Sequence, residues 1–173
     1  MMTVRELLIE DFDIEMDSTR KMLESVPEAI PDYKPHPRSM PFSQLAGHIA
    51  SLPAQAVRVI ELDHFEVDMA TIVRFLPKTR SELLERFEQN VSDARKALHN
   101  VSDEALWQTW TLKISGREIF ALPRIKVLRK QILSHIIHHR AQLGVYLRLL
   151  EVKIPGSYGP SADDMGQFSA PAK

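Results

Sequence analysis

The chain has 173 residues, of which 44% are hydrophobic and 26% charged, values typical of a soluble globular domain. Its formal net charge of −1 argues against nucleic acid or an anionic membrane surface as a partner. The absence of cysteine excludes disulfides, thiolate metal sites and a cysteine nucleophile. The sequence shows neither an apolar run of the ~20 residues that span a membrane nor an N-terminal signal core, so we expect a cytoplasmic protein.

The first predicted helix covers residues 4–26. Thr3 and Glu6 have the spacing of a capping box, in which each side chain bonds the other residue's backbone N–H. Apolar residues then recur at steps of three and four, which indicates an amphipathic helix. Prolines end this helix, and the four prolines of residues 31–41 predict an extended surface connection.

A second helix is predicted to begin near Phe42, with Pro41 at its first turn. His48 falls on its inward, mostly apolar side. Pro53 removes a backbone donor and should bend the helix just past His48. The acidic stretch of residues 61–68 fits either the end of this helix or a loop on the same side as the histidine.

A third helix is predicted over residues 80–98, because a capping box precedes a heptad-like apolar pattern there. Asn100 is its expected C-cap. Residues 102–104 predict a brief helical turn. Two short apolar runs on either side of residues 115–116, a Ser-Gly pair, then predict a small hairpin, with an irregular flap as the alternative.

The last predicted helix runs over residues 123–150, and the turn-rich sequence after Val152 cannot continue it. Four helices, a short hairpin or flap between the third and the fourth, and an irregular tail of about 15 residues predict an all-α four-helix bundle. We expect residues 1–173 to form a single domain, with this tail either wrapped around it or flexible.

Two histidines of the last helix form the candidate site. His135 and His139 are four residues apart and so lie on one helix face, where both can bind the same metal ion. Gln131, Gln142 and Tyr146 share this face, and burying so many polar groups without partners would cost roughly several kcal/mol. The alternative is that the pair are core histidines hydrogen-bonded to neighbours.

His48 is the third candidate ligand, from a different helix. Three protein ligands with a fourth position left for water are typical of a catalytic zinc-type site. Gln142 is predicted to orient a ligand or a bound water. His138, Gln131 and Tyr146 are further candidates for supporting the ligands or contacting substrate, although His138 fits a polar edge residue equally well.

A second apolar strip lies on the far side of the last helix, which indicates either a central helix or a subunit contact. Because Gly144 would allow close approach of another helix, the strip predicts a homodimer. Its members are Leu133, Ile136, Ile137, Gly144 and Leu147.

Three segments resemble the DinB-like (DinB/YfiT) superfamily of metal-dependent enzymes. They are FSQLAGHIASLP at residues 42–53, SGREIFALPR at residues 115–124 and LSHIIHHRAQLGVYLRLLEVKIPGSYGPSADD at residues 133–164. The resemblance implies a four-helix bundle, commonly a dimer, with a divalent metal on three histidines that match His48, His135 and His139. Ala141 departs from the family motif, which usually has glycine there.

The resemblance also implies a chemistry, since members with assigned activity include thiol-dependent S-transferases and a mycothiol-dependent isomerase. Imidazoles suit several divalent metals, of which we expect zinc or nickel to be found. Such an ion lowers the pKa of a bound water or thiol. We therefore expect a thiol S-transferase or related detoxification enzyme, acting on a small-molecule substrate with a low-molecular-weight thiol. The alternatives are a hydrolase that uses the metal-bound water, with a base from residues 61–68, and a non-enzymatic metal- or ligand-binding bundle.

Overall fold

The computed structural model describes residues 2–165, which form helices around one core and a small sheet beside them. Within these residues, no helix combines the length and the apolar character needed to cross a bilayer. The elements are α1 (Val4–Glu24), α2 (Phe42–Ser51), α3 (Ala54–Glu61), β1 (His64–Val67), α4 (Arg80–Asn100), α5 (Asp103–Leu106), β2 (Thr109–Ile114), β3 (Arg117–Pro123), α6 (Arg124–Val127), a π-helical segment (Leu128–Ser134) and α7 (His135–Leu149).

The prediction of an all-α four-helix bundle is wrong, because β1, β2 and β3 form a mixed sheet in that order. The predicted hairpin is present as antiparallel β2 and β3, and its turn has positive φ at both Ser115 (48°) and Gly116 (79°), as a two-residue turn requires. The remaining strand, β1, comes from the acidic stretch of residues 61–68 and pairs in parallel with β2. Its four residues alternate polar and apolar side chains, a short strand signal that the prediction of a helix end or a loop did not use.

The first turns of α1 and α4 lie at the predicted positions, where the hydroxyls of Thr3 and Thr79 cap them. The Thr3 hydroxyl accepts the Glu6 N–H at 3.2 Å, and the Glu6 carboxylate accepts the Thr3 N–H at 2.7 Å, which confirms the capping box. The last helix, predicted over residues 123–150, covers residues 124–149 as α6, the π-helical segment and α7. Helix α4 continues through Asn100, so the prediction of a cap at that residue is wrong by one position.

Pro53 divides the second helix into α2 and α3, as its missing N–H predicts. The side-chain amide of Asn90 on α4 donates to the carbonyl of Ala50 at 2.8 Å, next to the break. His48 lies in the last turn of α2, just before the break between the two helices.

The apolar strip on the far side of the last helix is largely buried inside the chain. Ile136 and Leu147 have no exposed surface. Gly144 faces α1 and the tail: a Cβ there would lie 3.5 Å from Met22 Cε and 3.7 Å from Ile154 Cδ1. The strip therefore indicates a central helix and offers little apolar surface to a second copy. It no longer supports the predicted homodimer, which stays a prediction.

A buried ion pair holds the described part of the tail against the helices. Arg140 of α7 is 2% exposed, and its guanidinium lies 2.8 Å from the carboxylate of Glu15 on α1. It also donates to the Tyr158 hydroxyl at 2.9 Å, and that hydroxyl donates to the Glu15 carboxylate. The tail is therefore wrapped as far as it is described; the rest of the predicted tail, residues 166–173, lies outside the described residues. The single domain over residues 1–173 stays a prediction.

Candidate metal centre

The three histidines predicted as ligands come together between α2 and α7. Nε2 of His135 lies 3.4 Å from Nε2 of His48 and 2.9 Å from Nε2 of His139. One nitrogen from each ring belongs to a set whose members all lie within 4.8 Å of one another. The helices bring these residues together because α2 and α7 pack against each other around the core.

The two histidines of α7 have their other ring nitrogen next to an oxygen acceptor. Nδ1 of His135 lies 3.2 Å from the carbonyl oxygen of Gln131, and Nδ1 of His139 lies 2.7 Å from Oε1 of Gln142. These oxygens only accept, so each Nδ1 carries the ring proton and each Nε2 presents a lone pair. Metal-binding histidines are commonly oriented in this way.

The facing lone pairs of His135 and His139 fit a bound cation. A proton between the rings would also relieve their repulsion, but burial lowers the pKa of both side chains and so opposes a charged ring. Burial, His139, His135 and Arg74 lower the pKa of His48 from 6.5 to about 4. Three neutral imidazole nitrogens within 4.8 Å of one another are a donor set that zinc and similar divalent ions bind.

The π-helical segment directly before His135 was not predicted. The backbone N–H of His135 bonds to the carbonyl of Ile132, which leaves the carbonyl of Gln131, four residues back, to accept the imidazole N–H. Such wide turns are rare and often lie at functional sites. Periodicity could not show it, because the irregularity ends just before His135 and leaves the spacing of the histidine pair unchanged.

The remaining site candidates have different surroundings. His138 is exposed; its ring centroid lies 5.0 Å from that of His139, but it adds no nitrogen to the cluster. The Tyr146 hydroxyl is engaged elsewhere, since it donates to the carbonyl of Met40 at 3.0 Å and so anchors the proline-rich connection. Gln131 lines a cavity next to the histidines.

That cavity has a volume of about 790 Å³ and includes His48 and His135 in its wall. Its other walls come from α3, α4, the sheet and the loop of residues 68–79 between β1 and α4. No sequence signal groups these residues, because they lie far apart in the chain and share no periodic pattern. They include Arg58, Phe65, Glu66, Asp68, Arg74, Arg86, Trp110 and Phe120.

The loop of residues 68–79 packs directly on Gly47, the residue before His48. A Cβ at position 47 would lie 2.0 Å from the backbone oxygen of Phe75 and 2.9 Å from Cδ of Pro77. Only glycine therefore allows the loop to lie this close to α2. A glycine inside a helix costs about 1 kcal/mol, and this was the available sequence signal of a close contact.

The substitution Gly47→Ala is expected to lower the free energy of unfolding by about 1–3 kcal/mol, because the backbone at Phe75 has to move. Gly144→Ala is the matched control: its methyl group would meet Met22 at an ordinary contact distance, so stability should stay equal or rise by up to about 1 kcal/mol. Urea denaturation measures both variants. Equal effects of the two substitutions would contradict the close packing at Gly47.

The metal-free protein is expected to lose stability as the pH falls from 6.5 towards 4. Burial lowers the histidine pKa values in the folded chain, the pKa of His48 to about 4, whereas unfolded histidines keep a pKa near 6.5. Between these values the unfolded state binds more protons, so acidification favours unfolding. Urea midpoints at about pH 7 and about pH 5, with chelator present, measure the loss. His48→Gln cannot take up this proton and should lose less; an equal loss would contradict a depressed pKa at His48.

Comparison with known proteins agrees with the observed fold. The model of the DinB superfamily matches residues 11–143, which include all three histidines. A DinB-like protein from Bacillus cereus ATCC 10987 is 20% identical, with a TM-score of 0.62 over 91% of this chain and 99% of its own. A DinB-like protein from Bacillus subtilis is 18% identical, with a TM-score of 0.65 over 87% of this chain and 97% of its own. At these identities the similarity shows the fold alone. No curated protein matches the chain.

Proposed function

The chain belongs to the DinB superfamily, and we propose that His48, His135 and His139 form the divalent-metal centre of a thiol-dependent S-transferase. The convergence of the three imidazoles carries this proposal, together with the acceptors that fix the two rings of α7. Three protein ligands leave a position for a reactant. The adjoining cavity supports an enzyme over a closed structural site.

The chain's own residues hold the centre and admit the reactants. A divalent metal bound there lowers the pKa of a thiol or a water molecule, so that the nucleophilic form is available near neutral pH. The Gln131 carbonyl and the Gln142 amide keep the rings of His135 and His139 in place. The chain has no cysteine, so the thiol is a small co-substrate. Its proton passes to solvent, its sulfur bonds to an electrophilic carbon, and the leaving group departs with the bonding electrons.

A metal-dependent hydrolase is the second candidate, because Glu66 of β1 lines the same cavity. A carboxylate in that wall is the type of group that accepts a proton from an attacking water. This carboxylate accepts the Gly116 N–H at 2.7 Å, which fixes it to the hairpin. A hydrolase needs such a carboxylate close to the metal-bound water, but among the described residues no carboxylate joins the histidine cluster. We therefore place the transferase first.

The substitution His135→Ala is expected to abolish tight metal binding. Protein made without a histidine tag and loaded with zinc should hold about one ion per chain, and the variant less than about a tenth of that, because two imidazoles bind weakly. His99→Ala, at an exposed histidine outside the cluster, is the matched control. Elemental analysis after gel filtration measures the zinc content. An unchanged content in His135→Ala would refute this ligand set.

A substrate screen then distinguishes the possible reactions. We expect the zinc-loaded protein to conjugate low-molecular-weight thiols with electrophiles, and His135→Ala to lose about 100-fold or more of this rate. Ester or amide hydrolysis without added thiol, reduced by Glu66→Gln, would favour the hydrolase instead. Tight zinc retention with no turnover of either panel would overturn both and leave a metal-binding bundle.

A further inference from the structure

Three arginines of the cavity wall have no carboxylate partner among residues 2–165. They are Arg58 of α3, Arg74 of the loop of residues 68–79, and Arg86 of α4. The ion pairs of the described chain involve other arginines and one lysine. Because arginine is always charged, the cavity next to the histidines carries positive charge that the wall does not neutralise by direct pairing.

Two of these guanidinium groups are held in place by aromatic rings. Cζ of Arg58 lies 4.6 Å from the ring centroid of Phe65, and Cζ of Arg86 lies 4.8 Å from that of Phe75. Arg58 also donates to Oε1 of Gln55 at 3.0 Å. A guanidinium has five N–H donors, so this contact leaves most donors of Arg58 available. Planar donors held in this way suit the oxygens of an acid group.

The acidic residues of the wall are bonded to their own segments. The Glu66 carboxylate accepts the Gly116 N–H at 2.7 Å. The Asp68 carboxylate accepts the Ala70 N–H at 2.8 Å and the Thr71 hydroxyl at 3.1 Å. These bonds join β1 to the hairpin and shape the start of the loop, and neither carboxylate pairs with an arginine of the wall.

Two aromatic rings contribute apolar surface to the same wall. Trp110 is 4% exposed, and its indole N–H is enclosed by protein, so this residue offers the cavity its ring and not its donor. The centroid of the Trp110 ring lies 6.2 Å from that of Phe120. This part of the cavity wall therefore presents flat apolar surface.

We propose that the cavity binds a small organic anion with a flat apolar body. Its acid group lies against the guanidinium of Arg58, with Arg74 and Arg86 adding positive charge. Its body lies against Phe65 and Trp110, and its other end approaches the histidines. The role of this anion as substrate or co-substrate rests on the proposed function, but its binding does not require the metal.

The test uses the full chain with Trp107→Phe, which leaves Trp110 as the only tryptophan and makes its fluorescence a report on the cavity. The probes are 3-phenylpropionate and 3-phenylpropionamide, which match in shape and differ in charge. Each is titrated into metal-free and zinc-loaded protein. We expect the acid to bind at least about tenfold more tightly than the amide in both forms.

Arg58→Gln is expected to reduce this preference to less than about threefold, while the affinity for the amide stays the same. Arg117→Gln removes the same charge from an exposed position of β3 outside the cavity wall and should keep the preference. Equal affinity of both probes for the metal-free protein would overturn the inference. It would also be overturned if the preference for the acid over the amide appeared only with zinc, or if it remained in Arg58→Gln. If the chain fails to hold zinc but keeps the preference, the metal centre is wrong and the anion site stands.

Discussion

The candidate site depends on the packing of α2 against α7, which brings three imidazoles together. Two Nε2 lone pairs, on His135 and His139, face each other at 2.9 Å in a partly buried place, and Nε2 of His48 lies 3.4 Å from that of His135. His135 and His139 approach each other because they are four residues apart on one helix. His48 joins them because α2 packs on α7, and both helices contribute fully buried side chains such as Ile49 and Ile136 to one core. Core packing therefore maintains an arrangement that is unfavourable by itself, as is expected of a binding site.

The parts of this arrangement that follow from local sequence could be predicted. The spacing of His135 and His139 fixes their common helix face, and His48 belongs to the inward positions of a second helix, so their convergence needed only that the two helices pack. The strand β1 could not be predicted in the same way. Its four residues alternate polar and apolar side chains, but this signal is short, and their partners in β2 lie more than 40 residues further along the chain.

The surroundings of the site were less predictable than its ligands. A lone arginine on an amphipathic helix, such as Arg58 or Arg86, normally indicates a solvated face, and no spacing relates either to Trp110. Gly47 was a usable signal, since a glycine inside a helix commonly marks a close contact, but its partner at Phe75 lies beyond two further elements. The sequence therefore predicts the donor atoms, and only the fold shows what encloses them.

Charge relates the candidate metal centre to the cavity. Neutral imidazoles leave the full charge of a divalent ion in place, and Arg74 adds positive charge close enough to His48 to lower its pKa. Arg58 and Arg86 add positive charge to the same cavity wall, where Arg58 is partly buried and Arg74 and Arg86 are exposed to solvent. Glu66 and Asp68 are bonded to their own segments and offset only part of it. An anionic occupant would lie between the histidines and the guanidinium groups, so its charge would complement both the arginines and a metal ion bound at the histidines, although the arginines alone suffice for the proposed preference.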